Sequence, residues 1–175
     1  KDMEFKTWIA ELEDGGPVVP VASTDSDQPQ QPGAAPQAPV EKDYQTVLTQ
    51  NELNQWLSKI AKAELVAVDT ETTSLDYMKA KLVGVSVAVE PGQAAYIPFG
   101  HDYLGAPEQL DKDSVLEQLK PLLEDPSIKK VGQNLKYDMS VLAQHGIRLQ
   151  GIAFDTMLES YVFDSVATRH DMDSL

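Results

Sequence analysis

Six of the eleven prolines crowd into residues 14–43, alongside Gly, Ser, Gln and Ala and without one aromatic side chain. Such a stretch cannot bury enough apolar surface to offset the entropy of ordering it. It is predicted to be a flexible linker with polyproline II segments. The linker divides the chain. On its N-terminal side, residues 2–13 carry Phe5, Trp8, Ile9 and Leu12 at helical spacing, an amphipathic helix whose apolar face needs a partner. On its C-terminal side, residues 44–175 must supply the folded domain.

Within that domain Tyr44–Leu48 reads as a short strand. Thr49-x-x-Glu52 is a capping box that opens a helix running to about Ala61, with Leu53, Trp56, Leu57 and Ile60 inward. Leu65–Val68 is a short apolar run with two valines, the signature of a buried central strand. Lys81–Val89 and Ala94–Pro98 form a hairpin about Pro91-Gly92. Helices follow at Ser114–Leu123, where Pro121 requires a kink or an early end, and at Leu135–His145, closed by Gly146. A short strand at Lys130–Gly132 precedes the second of these. Phe154–Phe163 reads as a further helix with Asp155 as its cap, and residues 171–175 as the first turn of another. Strands alternating with helices predict an α/β domain with a mixed central sheet.

The 14 Lys and Arg against 28 Asp and Glu leave a formal net charge of -14, too acidic for nucleic-acid binding through basic side chains alone. The charge is either a solvated surface or a set of carboxylates that gather divalent cations. The absence of cysteine excludes a disulfide framework, a thiolate zinc site and a cysteine nucleophile, and fits a cytoplasmic protein. No apolar run reaches the roughly 18 residues a membrane helix needs, and Lys1–Lys6 carries no apolar signal core.

Spacing decides where charge cannot. The central strand runs into Asp69-Thr70-Glu71, and period-two alternation sends both carboxylates out on one side of the sheet end. Two acids there repel each other unless a cation lies between them; otherwise they are solvated loop residues. Oxygen-only ligands suit Mg²⁺ or Mn²⁺. In Asn134-Leu135-Lys136-Tyr137-Asp138, Asn134 falls near a helix N-cap and Asp138 about one turn inside.

Val68-Asp69-Thr70-Glu71-Thr72 with Ser74-Leu75 resembles the first motif of the DnaQ-like, or DEDD, 3′→5′ exonucleases, and Val131-Gly132-Gln133-Asn134-Leu135-Lys136-Tyr137-Asp138 resembles the second. The text around them, Ala95-Tyr96-Ile97-Pro98, His101-Asp102-Tyr103-Leu104 and Phe154-Asp155-Thr156-Met157-Leu158-Glu159-Ser160-Tyr161, is similar to the proofreading domain of the bacterial DNA polymerase I family. The resemblance spans residues 44–175. It implies a ribonuclease H-like fold and hydrolysis of the terminal phosphodiester at a single-stranded DNA 3′ end. Residues 1–13 resemble the end of that family's 5′ nuclease domain, and a polymerase domain is the further partner implied.

By the same resemblance, two Mg²⁺ or Mn²⁺ ions about 4 Å apart would serve the reaction. Asp69 would hold both, Glu71 the inner one together with the attacking water, and Asp138 the outer one through water. Thr72 and Asn134 would contact the terminal nucleotide, and Leu75 would wedge against its base or else be a core leucine. Lys136 and Arg169 would meet phosphate or else be surface charges. The family's third motif, a Tyr-x-x-x-Asp that brings a fourth acid, has no match here: Asp155, Asp164, Asp171 and Asp173 stand in other contexts. The chain is therefore expected to be a piece that stops before that motif and is weak or inactive by itself. A non-catalytic nuclease-like module and an RNase D-like RNA exonuclease are the competing readings.

Overall fold

Leu65–Val68 does lie at the centre of a sheet, and the strand it starts is twice as long as its apolar run. In the computed structural model, which describes residues 42–166, 170 and 171, six strands and four helices alternate. The strands are β1 (Asp43–Thr46), β2 (Leu65–Thr72), β3 (Leu82–Glu90), β4 (Gln93–Pro98), β5 (Lys129–Gly132) and β6 (Ile152–Asp155). The helices are α1 (Gln50–Ile60), α2 (Lys112–Leu123), α3 (Leu135–Gln144) and α4 (Thr156–Phe163). The expected helix over residues 2–13, the linker over 14–43 and the helical turn over 171–175 lie outside the described residues, apart from 42, 43 and 171.

The sheet order is β1-β4-β3-β2-β5-β6. Only β3 runs against the others, because β2–β3 and β3–β4 are antiparallel and every other pairing is parallel. The carboxyl ends of β1, β2, β4, β5 and β6 therefore share one edge, the side on which open α/β sheets place ligands.

Local chemistry fixes the helix starts. Thr49 Oγ1 accepts from the Glu52 amide at 3.3 Å, while Glu52 Oε2 accepts from the amides of Leu48 at 3.0 Å and Thr49 at 2.9 Å. These bonds, that from Leu48 foremost, hold the Glu52 carboxyl below the usual carboxylate range. At α2, Asp111 caps the Ser114 amide at 2.9 Å. Pro121 stands inside α2, which runs two residues beyond it to Leu123, the end the sequence indicates.

One sheet face carries the core. Val66 and Val68 of β2, Val85 and Val87 of β3 and Ile97 of β4 pack under Leu53, Trp56 and Ile60 of α1, Leu119 of α2, and Val141 and Leu142 of α3, all buried. Each such side chain contributes about 1.5–3 kcal/mol on burial. Trp56 is a packing residue, as expected, and its Nε1 donates to Gln45 Oε1 at 2.9 Å.

One expectation needs correction. Residues Ile152–Asp155 form β6, parallel to β5, so the helix placed at Phe154–Phe163 begins only at Thr156. A four-residue strand with exposed Ile152 and Phe154 shows no burial alternation, so its own pattern does not set it apart from the helix that follows. Asn134 holds the N-cap position of α3 but makes no side-chain cap; its backbone is left-handed, φ 57°, a conformation asparagine tolerates. The cap is Asp155, whose carboxylate accepts from the amides of Asn134 at 3.2 Å and Leu135 at 2.8 Å. The same carboxylate caps α4 through Met157 and Leu158, at 3.1 and 3.2 Å.

Candidate active site

Register places the first two acids. β2 stays paired with β3 through Thr72, with Asp69 opposite Ser86 and Glu71 opposite Gly84. Both carboxylates thus leave the face turned away from the core, among small side chains. Burial raises the Asp69 carboxyl, and the neighbouring Glu71 charge raises it further.

Asp138 arrives differently. β5 pairs with β2 only as far as Ala67–Val131, so no β5 residue faces Thr70. Asp138 Oδ1 takes that place, accepting from the Thr70 amide at 2.9 Å and from Thr70 Oγ1 at 2.6 Å. The side chain is 2% exposed. Burial pushes its carboxyl up to about 6, with the Thr70 bonds opposing and the Asp69 charge adding to the rise. Gly132 permits this approach: a Cβ there would stand 2.7 Å from the Val68 carbonyl oxygen and against the Leu135 side chain.

Thr70 belongs to the core side of β2, whereas Asp69 and Glu71 project from the other side. Asp138 therefore meets the acid strand along its backbone, and its charge couples with that of Asp69. Among the described residues, no three carboxylate or imidazole groups are arranged to enclose a metal ion. The donor chemistry nevertheless fits a hard divalent cation: oxygen ligands only, with mutual repulsion that a cation would relieve.

Thr72 Oγ1 and Tyr137 Oη share a hydrogen bond of 2.6 Å, and Tyr137 Oη donates to the Ser74 carbonyl at 2.5 Å. Helix α3 thereby holds the loop after β2. On that loop Leu75 is 95% exposed, so it is not a core leucine. Lys136 lies exposed on α3, one residue beyond the buried Leu135. Arg169 falls outside the described residues.

Sequence reasoning passed over Thr70, Tyr137 and the capping of α3 by Asp155. It also passed over a cluster beside Glu71. Tyr96 lies across Gly84, where a Cβ would collide with its phenol, and its hydroxyl bonds His101 Nε2. Burial raises the Tyr96 phenol, with the charges of Glu71 and Tyr103 adding to the rise. The one signal available was Gly84 itself, a glycine inside a strand, which marks a close approach.

Strand order and acid placement define a class: ribonuclease H-like α/β nucleases, with acids on the central strand at the carboxyl edge of a mixed sheet. A family model described as 3′-5′ exonuclease matches residues 44–175, and the chain belongs to that family. It is 51% identical over 185 residues to DNA polymerase I of Pseudomonas aeruginosa, covering 100% of this chain and 18% of the relative. It is 42% identical over 149 residues to DNA polymerase I of Rhizobium leguminosarum, covering 75% and 15%. The chain thus spans less than a fifth of these relatives. Among solved structures, Brucella melitensis NrnC superposes with TM-score 0.56 at 25% identity over 77% of this chain and 57% of that one. A form of NrnC described with bound Mg²⁺ gives TM-score 0.55 at 24% identity, over 77% and 59%.

Proposed function

We propose that this domain removes nucleotides from the 3′ end of single-stranded DNA, serving as the proofreading exonuclease of a DNA polymerase I. The observation that carries the reading is the placement of Asp69 and Glu71 on one face at the carboxyl end of β2, with Asp138 electrostatically coupled to Asp69 from α3. The similarity to bacterial DNA polymerases over the whole chain favours DNA over RNA as substrate and a catalytic over a purely structural role. Replication and repair of a bacterial chromosome in the cytoplasm are the setting of this reading. Residues 1–13 would close a preceding 5′ nuclease domain, residues 14–43 would link it to this one, and a polymerase domain would be the further partner.

Asp69, Glu71 and Asp138 would hold Mg²⁺ or Mn²⁺, two ions in a complete site. A divalent cation supplies Lewis-acid polarisation of the phosphoryl oxygens and a water of lowered pKa. Of the chain's own groups, Glu71 is the exposed carboxylate able to orient that water, and Thr70 fixes the Asp138 carboxylate. Thr72 and Asn134 would bind the terminal nucleotide, with Leu75 as the wedge at its base. Lys136 and Arg169 are the proposed phosphate contacts.

Calorimetric titration with Mn²⁺ tests the reading. Binding to the wild-type chain should weaken more than tenfold in Asp69→Ala, as expected when a charged ligand is lost. Equal affinity in the two proteins would remove Asp69 from the site.

A further inference from the structure

Glu71 also forms one end of a cleft of about 550 Å³ that runs along the open face of the sheet toward the loop after β4. Its floor is set by register: Ser86 of β3 lies opposite Tyr96 of β4, and Thr46 of β1 lies opposite the same tyrosine. Its far wall is a run of three rings. Tyr96 meets His101 edge-on with centroids 5.8 Å apart, and His101 meets Tyr103 in the same way at 5.8 Å. The run is held firmly. The Tyr96 hydroxyl bonds the imidazole, and the Gln109 amide clamps the His101 backbone, accepting from its N–H at 2.9 Å and donating to its carbonyl at 2.8 Å. Tyr103, the last ring, is 60% exposed at the mouth of the cleft.

The lining contains no lysine or arginine, and Glu71 gives it a negative charge. It cannot be a phosphate pocket. What fits a cleft with aromatic walls and hydroxyl and amide groups, but no cation, is an uncharged planar ring. Nucleobases offer such a face, and aromatic side chains bind single strands by stacking on it without regard to sequence.

We infer that Tyr103 is a base-stacking residue: held by the Tyr96–His101–Gln109 scaffold, it receives an unpaired base of the strand whose 3′ end is at Asp69 and Glu71. The inference rests on the exonuclease reading and adds to it a second contact, on the loop after β4. Leu75 and Tyr103 sit on loops that leave the same edge of the sheet, after β2 and β4, so a strand laid across that edge meets both.

The test uses the full chain and a 5′-fluorescent oligothymidylate of about eight nucleotides, within the range of single-strand site sizes. Binding is measured in Ca²⁺. Tyr103→Ala should raise Kd about tenfold, the loss of one base–aromatic stack, and Tyr103→Phe should leave Kd unchanged. Replacing thymine by 5-iodouracil and irradiating should crosslink the oligonucleotide to the peptide that contains Tyr103. If the wild-type chain binds and Tyr103→Ala binds equally well, or Tyr103→Phe is as weak as alanine, the stacking assignment falls while the nuclease reading stands. If the wild-type chain does not bind the oligonucleotide, both fall together.

Discussion

Replacing Asp138 by Asn should make the protein more stable at alkaline pH. The carboxyl is 2% exposed, and burial holds it at about 6 against an ordinary 3.8. Below about pH 4 it is protonated in the folded and unfolded chain alike. Between about 4 and 6 the folded state alone keeps the proton, so the stability this group gives is progressively lost as pH rises through that window. Above about 6 the folded state carries a buried anion. The gap is worth about 3 kcal/mol. Asparagine retains an oxygen for the Thr70 amide and hydroxyl and carries no charge to bury. In EDTA at pH 8, Asp138→Asn should therefore melt about 10 °C above the wild type, and the difference should close by about pH 4. Added Mg²⁺ should raise the melting point of the wild type more than that of the variant, because only a native-state ligand contributes through linkage. A variant that melts lower at pH 8, or by the same margin at pH 4 and pH 8, would refute the account of Asp138 as a site held at a cost in stability.

Two further substitutions probe how the site is supported. Tyr137→Phe removes the hydroxyl shared by Thr72 and Ser74 and should cost about 1 kcal/mol, with faster hydrogen exchange confined to the loop from Ser74 to Lys79; unchanged exchange there would show that the loop is held by other contacts. Asp155→Ala leaves the amides at two helix starts without an acceptor and should cost about 2–4 kcal/mol in a urea melt, and a loss under about 1 kcal/mol would show that water caps both helices equally well.

Much of the fold was legible because its signals are local. The Thr49–Glu52 box and the Pro91-Gly92 hairpin each depend on residues only a few apart, and both are where the sequence puts them. The central strand was read too short, because Asp69 to Thr72 look like loop residues until Ser86, Gly84 and Leu82 are known to pair with them. β6 was missed for the complementary reason: its identity lies in its ladder with β5, not in its own pattern. At the site, alternation alone put Asp69 and Glu71 on one face. The bond from Thr70 to Asp138 joins residues 68 apart, and no spacing rule announces it. The Asp155 cap on α3 likewise crosses 21 residues, so the N-cap position at Asn134 was legible while the carboxylate that caps it was not.

The double cap has a mechanical consequence. A single carboxylate pins the starts of α3 and α4, so neither helix can pivot about its first turn without dragging the other. Helix α4 buries none of its residues among those described and leaves Leu158, Val162 and Phe163 58%, 88% and 94% exposed. Asp138 lies one turn past the shared pin. Whatever leans on the bare side of α4 is therefore joined, through the Asp155 carboxylate, to the helix that carries Asp138.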